Sequence, residues 1–213
     1  MKNFLAIDTS GGYLCVVAAK DGRVFTAVED DCAMKHSVLL MTKVDEVLSK
    51  AQMRLDECDF FAACVGAGSF TGIRIGISAA KGFALACKKP TLPVTSFDIA
   101  AYNAVDGGVE NGGRLLCLVD ALHGYYYACG YENGEVSLPF SYLSEEQVLA
   151  LEKEGYTLRS CGELPLCQRA RVEIVSPTEG LKNAVFALSD KEKFGELSAV
   201  YIRKSSAEEN LHK

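Results

Sequence analysis

The sequence predicts an α/β protein of two lobes that repeat one folding unit, and three observations carry this prediction. The chain has 213 residues, about one and a half times a typical ~150-residue domain. Its 49% hydrophobic and 23% charged residues are ordinary for a globular protein, and no apolar run approaches the ~20 residues of a membrane helix. Residues 4–28 also align without a gap on residues 116–140. Two copies of one unit therefore account for the length.

The aligned residues suggest that both copies share the same turns. The matching pairs are Asp8 with Asp120, Gly12 with Gly124, Tyr13 with Tyr125, Asp21 with Asn133, Gly22 with Gly134 and Val24 with Val136. Asp-Gly and Asn-Gly are the residue pairs that a type I′ hairpin turn favours. Each copy therefore reads as a strand, an acidic turn, a second strand, a hairpin turn and a third strand.

Local patterns predict the remaining elements of the first half. Apolar residues spaced by three and four indicate a helix over 36–51, and Pro90 ends a second helix. The expected elements are strands over 4–7, 13–19 and 24–28, the helix over 36–51, a strand over 60–65, a helix over 72–87, a strand over 92–95, and a helix capped by Ser96 that runs to about residue 105.

The glycine-rich stretch 106–113 marks the boundary between the lobes. Beyond it we expect strands over 115–119, 125–130 and 135–138, then a helix after the capping box of Ser144 and Gln147, and another after Ser176. The predicted domains are a first lobe over 1–106, a smaller second lobe over 107–204 and a polar tail over 205–213.

Charge and cysteine content exclude several classes of protein. The net charge of −6 opposes unaided binding of nucleic acid, which depends on cationic side chains. Nine cysteines are an odd number and several lie in apolar strands, so we expect reduced core thiols and a cytoplasmic protein. The sequence has no zinc-binding histidine motif and no G-x-S-x-G nucleophile, and His36 is expected as a capping or surface residue.

Asp8 and Asp120 are the acidic candidates for a functional site. Both end the first strand of a copy, where two carboxylates facing one cleft could hold a divalent cation and a nucleotide phosphate. Thr9 and Ser10 make the first turn a weak candidate for nucleotide binding. Alternatively, each aspartate caps its turn by accepting backbone N–H groups.

The segment 66–72 joins a strand to a helix start, where free N–H groups favour an anion. It lacks the lysine of a Walker loop and the spacing of a dinucleotide fingerprint. A tight turn with Ser69 or Thr71 as the helix cap is the favoured interpretation.

Small residues follow one flank of the helix over 72–87, and the helix over 36–51 has an unusually wide apolar arc. Two interpretations stay open: tight packing within the chain, or a helix pair that also contacts a partner. The candidate partner residues are Val38, Met41, Gly72, Arg74, Gly76, Ala79, Ala80 and Phe83.

The segment Gly66–Gly76 resembles the motif G-x-G-S-F-T-G-[LIV]-R-I-G of the bacterial TsaB (YeaZ) family of tRNA threonylcarbamoyladenosine biosynthesis proteins. Other segments resemble that family in the same order along the chain: Leu5–Ser10, Lys35–Ser37, Asp120-Ala121 and Val200–Arg203. The chain departs from the family pattern at Ala67, where proline is usual, and at Leu122 or His123, where arginine is usual.

The resemblance implies an α/β fold of the duplicated actin-like or sugar-kinase-like (ribonuclease H-like) class. It also implies a non-catalytic subunit that pairs through its first-lobe helices with a catalytic TsaD-type subunit, joined by a TsaE-type ATPase. The subunit alone would form a homodimer, and tRNA would be an indirect partner. No resident cofactor or metal is expected, although ATP or ADP at the complex interface is compatible with the family.

Two alternatives to this scaffold role remain. One is an actin-like ATPase or phosphotransferase that uses Asp8, Asp120 and the glycine loop, and the other is a direct RNA-binding module. The scaffold interpretation expects Arg74 to reach across the partner interface.

Overall fold

The computed structural model describes residues 2–32, 34–103 and 113–202. Within them the chain forms ten strands and five α-helices, with short 3₁₀ turns at Leu55–Glu57 and Pro165–Gln168. The first half contains β1 (Phe4–Asp8), β2 (Leu14–Lys20), β3 (Arg23–Glu29), α1 (His36–Ala51), β4 (Phe60–Cys64), α2 (Phe70–Cys87), β5 (Thr91–Val94) and α3 (Ser96–Ala101). The second half contains β6 (Arg114–Asp120), β7 (Tyr125–Glu132), β8 (Glu135–Ser144), α4 (Glu145–Lys153), β9 (Tyr156–Ser160), β10 (Val172–Ile174) and α5 (Pro177–Asp190).

The strands form two five-stranded sheets with the same topology. The first sheet has the order β3-β2-β1-β4-β5 and the second has the order β8-β7-β6-β9-β10. In each sheet the first three strands pair antiparallel and the following two pair parallel. The predicted duplicated α/β fold is therefore confirmed.

The two hairpin turns have the same backbone conformation. Asp21 and Gly22 have φ values of 51° and 79°, and Asn133 and Gly134 have φ values of 51° and 81°. Positive φ at both central residues is what a type I′ turn requires. The alignment of the two copies is thus confirmed at the level of individual dihedral angles.

Helices cover both faces of the first sheet. On one face, α1 and α2 bury apolar residues such as Val44 and Ile73, and Leu197 completes this core. On the other face, α5 buries Leu181 and Val185 against strand residues that include Phe4. A helix that follows the second lobe in the chain therefore packs on the sheet of the first. The predicted boundary at residues 106 and 107 and the tail over 205–213 lie outside the described residues.

The second sheet is covered by α4 on one face, and on the other it contacts the first lobe through α3. The ring of Phe97 in α3 lies 5.3 Å from that of Phe140 in β8. The hydroxyl of Tyr131 in β7 donates to Asp98 Oδ1 at 3.2 Å. Arg159 in β9 lies 3.4–3.5 Å from the carbonyl oxygens of residues at the end of α3. A short helix therefore fixes the two lobes to each other.

Several boundaries of helices agree with those predicted from the sequence, and one predicted helix cap is wrong. The bounds of α1 match the expected range, and Ser144 and Ser176 cap α4 and α5 as predicted. Ser96 was expected to cap α3, but the N-cap is Thr95, whose hydroxyl accepts from Asp98 N. The helix ends at Ala101, short of residue 105, which is not described. Strands β9 and β10 were not predicted.

All nine cysteines are free thiols, and six of them are buried. Burial is also the largest cause that raises the pKa of the Cys15 thiol to about 12. Among the helices that the structure describes, none has the length and apolar character needed to cross a membrane.

Candidate functional site

The glycine-rich segment between β4 and α2 is a tight turn, and two of its amides donate hydrogen bonds within the chain. Ser69 is the N-cap of α2, and its side chain accepts from Gly72 N at 3.2 Å. The N–H of Ser69 donates to Ser10 O at 2.8 Å. These amides are therefore occupied by protein oxygens and are not free for an anion. This supports the turn interpretation, and Ser69 is confirmed as the cap.

Three glycines of the motif are required by close approach of the backbone. A Cβ at Gly66 would lie 2.8 Å from the carbonyl oxygen of Val200, and Gly66 has a φ of +118°. A Cβ at Gly68 or Gly72 would overlap the carbonyl oxygens of Ser10 and Thr9. The motif thus fixes the start of α2 against the β1–β2 turn and against the C-terminal segment.

Asp8 lies beneath this turn and is completely buried. Its Oδ1 accepts from Ser10 N at 2.8 Å, and its Oδ2 accepts from the hydroxyl of Tyr13 at 2.9 Å. Burial and the neighbouring Asp8 raise the pKa of Tyr13 well above its usual value. Thr9 is also buried and donates from Oγ1 to the Gly72 carbonyl at 2.7 Å. Both residues therefore hold the turn together, and only Ser10 of the three candidates lines the cleft.

A cleft of about 1020 Å³ lies between the lobes. Its lining consists of Ser10, Gly11, Gly12, Tyr13, Asp30, Asp31, Ala67, Gly68, Ser69, Ser96, Leu118, Val119, Asp120, Ser160, Cys161, Gly162, Glu163 and Leu164. Within this described lining there are four acidic residues and no lysine or arginine. Nucleotide phosphates are held by lysine, arginine or a bound divalent cation. The described lining offers an anionic ligand no side-chain cation.

No three histidine, cysteine or acidic side chains in the described part of the chain are grouped so that they could hold a metal ion. His36, expected as a capping or surface residue, is instead buried, with Nε2 2.9 Å from the carbonyl oxygen of Tyr13. It joins α1 to the start of β2.

Asp120 forms the corresponding turn of the second lobe. Its Oδ1 accepts from Leu122 N at 2.8 Å, which repeats the bond between Asp8 and Ser10. Leu122, His123 and Gly124 follow with left-handed φ values of 67°, 56° and 78°. Asp120 lines the cleft whereas Asp8 is buried below it, so the two carboxylates are not presented together to a ligand.

Three of the predicted partner residues face the chain's own sheet. Gly72, Gly76 and Ala80 are buried on the inner side of α2. A Cβ at Gly76 would lie 2.6 Å from Thr9 Oγ1 and 3.4 Å from Ile7 Cγ2. At Gly72 and Gly76 the close approach is made by the end of β1 and by Thr9, which favours the interpretation of tight packing within the chain at these positions.

The other predicted partner residues lie on the outer side of the helix pair. Val38 is 74% exposed and Met41 is 48% exposed, while Ala79 and Phe83 are partly buried. The ring of Phe83 lies 5.8 Å from that of Phe61 in the core. Between the helices runs an open groove of about 500 Å³ lined by Ser37, Leu40, Phe70, Thr71, Arg74, Ile75, Ser78 and Ala79. Hereafter this is the α1–α2 groove.

Arg74 lies at this groove and is held by two aromatic side chains. Its guanidinium carbon is 3.8 Å from the centre of the Phe70 ring, and Nε donates to the hydroxyl of Tyr201 at 2.9 Å. The rings of Phe70 and Tyr201 stack with centres 4.9 Å apart. The sequence analysis named Arg74 but did not predict its contacts with Phe70 and Tyr201, and Tyr201 is 127 residues away in the chain.

Comparison with known proteins gives one family. The profile described as tRNA N6-adenosine threonylcarbamoyltransferase (TsaD) matches residues 28–189. The chain is 33% identical over 132 residues to the tRNA threonylcarbamoyladenosine biosynthesis protein TsaB of Escherichia coli K12, covering 62% of this chain and 55% of that protein. It spans about half the length of the curated relatives that it matches.

Two solved structures from Pseudomonas aeruginosa share the fold. One is described as similar to the peptidase YeaZ, with a TM-score of 0.77, 24% identity, and 95% of this chain and 100% of that chain covered. The other, YeaZ, has a TM-score of 0.71 and 25% identity, and the match covers 94% of this chain and 100% of that one.

Proposed function

The chain belongs to the TsaD family as a TsaB (YeaZ)-type member, and on this premise we propose that it is a non-catalytic subunit in the threonylcarbamoyladenosine modification of tRNA. Its partner is a TsaD-type catalytic subunit, to which a TsaE-type ATPase is added. tRNA is an indirect partner of this subunit, in keeping with its net charge of −6.

The lining of the inter-lobe cleft supports a non-catalytic role for this chain. Catalysis of phosphoryl transfer depends on cations that neutralise the transferring group. The charged side chains of the described lining are all acidic, and Asp8 is buried and bonded within its turn. A phosphotransferase that uses Asp8, Asp120 and the glycine loop is not supported by this arrangement.

The observation that carries the proposal is a pair of exposed apolar side chains on α1, Val38 and Met41. They are three residues apart and are therefore neighbours on one face of the helix. Adjacent apolar side chains left open on a protein surface are typical of an interaction site. Burial of such side chains supplies the main favourable free energy of association. In the absence of the catalytic subunit, a second copy of this chain occupies the same face.

Calorimetry with the TsaD-type subunit of the same organism tests the proposal. We expect Val38→Asp and Met41→Asp each to weaken binding by about tenfold or more, because a carboxylate would be buried at an apolar contact. Val136→Asp is the matched control, since Val136 is 57% exposed on β8 of the second lobe. Equal affinity of all three variants and the unchanged chain would contradict this use of α1.

A further inference from the structure

Arg74 is fixed more tightly than an exposed arginine usually is. One face of its guanidinium lies on the Phe70 ring, and its Nε donates to the Tyr201 hydroxyl. Arginine on an aromatic face gains a cation–π attraction, and each fixed torsion removes part of its rotamer freedom. The side chain therefore has one preferred orientation before any partner arrives.

The two terminal nitrogens of Arg74 remain available. Within the described part of the chain, neither Nη donates a hydrogen bond to protein. Arg74 is also the one charged residue in the described lining of the α1–α2 groove, whose other members are apolar or carry a hydroxyl. The nearby Lys81 is already paired with Glu196 at 3.1 Å. The groove thus combines an apolar floor with a single unpaired, oriented cation.

From this arrangement we infer that the α1–α2 groove receives an apolar helix of another protein that carries an aspartate or glutamate opposite Arg74. This inference rests on the proposed function and specifies its partner. Two Nη donors in a plane match the two oxygens of a carboxylate. An apolar groove fits the apolar face of a helix.

A second copy of this chain fits the groove less well. A second copy would present the same groove, so Arg74 of one copy would face Arg74 of the other. Arg74 is the one charged residue in the described lining of the groove. Two guanidinium groups brought to one apolar contact repel each other. The groove therefore favours a different chain with a complementary carboxylate.

Tyr201 acts in this inference as a positioning residue. Its hydroxyl accepts from Arg74 Nε and its ring stacks on Phe70, so it limits the guanidinium to one plane. Tyr201 belongs to a C-terminal segment that is itself bonded to the first sheet through Val200 N and Val65 O at 2.7 Å. Loss of the hydroxyl would release Arg74 without removing its charge.

The test is calorimetry of the full chain against the TsaD-type subunit at low and high salt. We expect Arg74→Gln to weaken binding by about tenfold or more, Arg74→Lys to lose most of the same factor, and Tyr201→Phe to lose about threefold. The salt dependence of binding should shrink in Arg74→Gln. Lys153→Gln on α4 is the control and should bind within about twofold of the unchanged chain. Thermal unfolding of each variant checks that it is folded.

The outcomes separate the two proposals. If the unchanged chain does not bind the catalytic subunit, the proposed function is wrong. If it binds and Arg74→Gln binds equally well, the function stands and the carboxylate contact is wrong. Full affinity of Arg74→Lys would overturn the two-point geometry, and full affinity of Tyr201→Phe would overturn the positioning role. A loss of self-association in Arg74→Gln as large as its loss of heterodimer affinity would overturn the preference for a different chain over a second copy.

Discussion

The turn after β1 and the turn after β6 occupy equivalent positions in the two copies of the repeat, but their surroundings differ. Asp8 and Asp120 each accept from the amide two residues later at 2.8 Å. Asp8 is then buried and receives the Tyr13 hydroxyl, whereas Asp120 lies at the cleft. Tyr125, which corresponds to Tyr13, stacks instead on Tyr142 with ring centres 4.6 Å apart.

The difference comes from what packs on each turn. In the first lobe, the start of α2 approaches so closely that only glycine fits beside Thr9 and Ser10. In the second lobe, a short 3₁₀ turn at Pro165–Gln168 stands between β9 and β10, where α2 stands between β4 and β5 in the first lobe. The strand frame and the aspartate turn are thus common to both copies, and close helix packing belongs to the first copy alone. A shared motif residue can therefore be structural in one copy and solvent-facing in the other.

The largest effect is expected at Gly72. Its substitution by alanine places a Cβ against the Thr9 carbonyl, so Gly72→Ala should lower the free energy of unfolding by about 3 kcal/mol or more. Gly82→Ala in the same helix is the control, since its Cβ would meet nothing within 4 Å, and it should raise stability by up to about 1 kcal/mol. Urea unfolding measures both, and similar values would show that α2 does not pack as tightly as the structure indicates.

A smaller difference in the free energy of unfolding is expected between substitutions of the two aspartates. Asp8→Ala removes the acceptor of two buried donors and should cost about 2–4 kcal/mol, whereas Asp120→Ala removes one bond at the cleft and should cost about 1 kcal/mol. Thermal and urea unfolding of the two variants, measured side by side, make the comparison. If the two costs were equal, burial would not distinguish the turns.

The smallest difference in stability is expected between substitutions at the two hairpin turns, because their backbone conformations agree. Gly22 and Gly134 have φ values of 79° and 81°, so alanine at either position should cost about 1–2 kcal/mol, and the two costs should match. Denaturant midpoints of the two variants are the measurement. A clear inequality would mean that one hairpin is held by contacts outside its own turn.

Sequence reasoning succeeded where a feature depends on neighbouring residues. Turns and helix caps involve only two to four neighbouring residues, so the sequence alone identifies them. The examples are the turns Asp21-Gly22 and Asn133-Gly134 and the caps Ser69, Ser144 and Ser176. The repeat then extended the unit of three strands in the first lobe to β6, β7 and β8 of the second. Ser96 failed as a cap because Thr95 has the same chemistry and also the aspartate three residues later.

The candidate site was harder to predict because its contacts are distant in the chain. The small-residue flank of α2 correctly indicated a close approach, but spacing alone does not say whether a strand or a partner makes it. Gly76 meets Thr9, and Arg74 meets Tyr201, across separations that no periodic pattern records. Asp8 was a candidate for the cleft, but its burial and its bond to the Tyr13 hydroxyl depend on the fold of the sheet.

The return of α5 and Leu197 to the first sheet has a consequence for biosynthesis. A ribosome makes β1 to α3 first, but one face of that sheet stays uncovered until residues 177–190 are made, after every strand of the second sheet. Leu197, buried in the opposite core, comes later still. Since chains grow at about 5–20 residues per second, the nascent first lobe exposes strands such as β5 for several seconds. The lobe encoded first is therefore the lobe completed last, and chaperone contact during translation should concentrate on it.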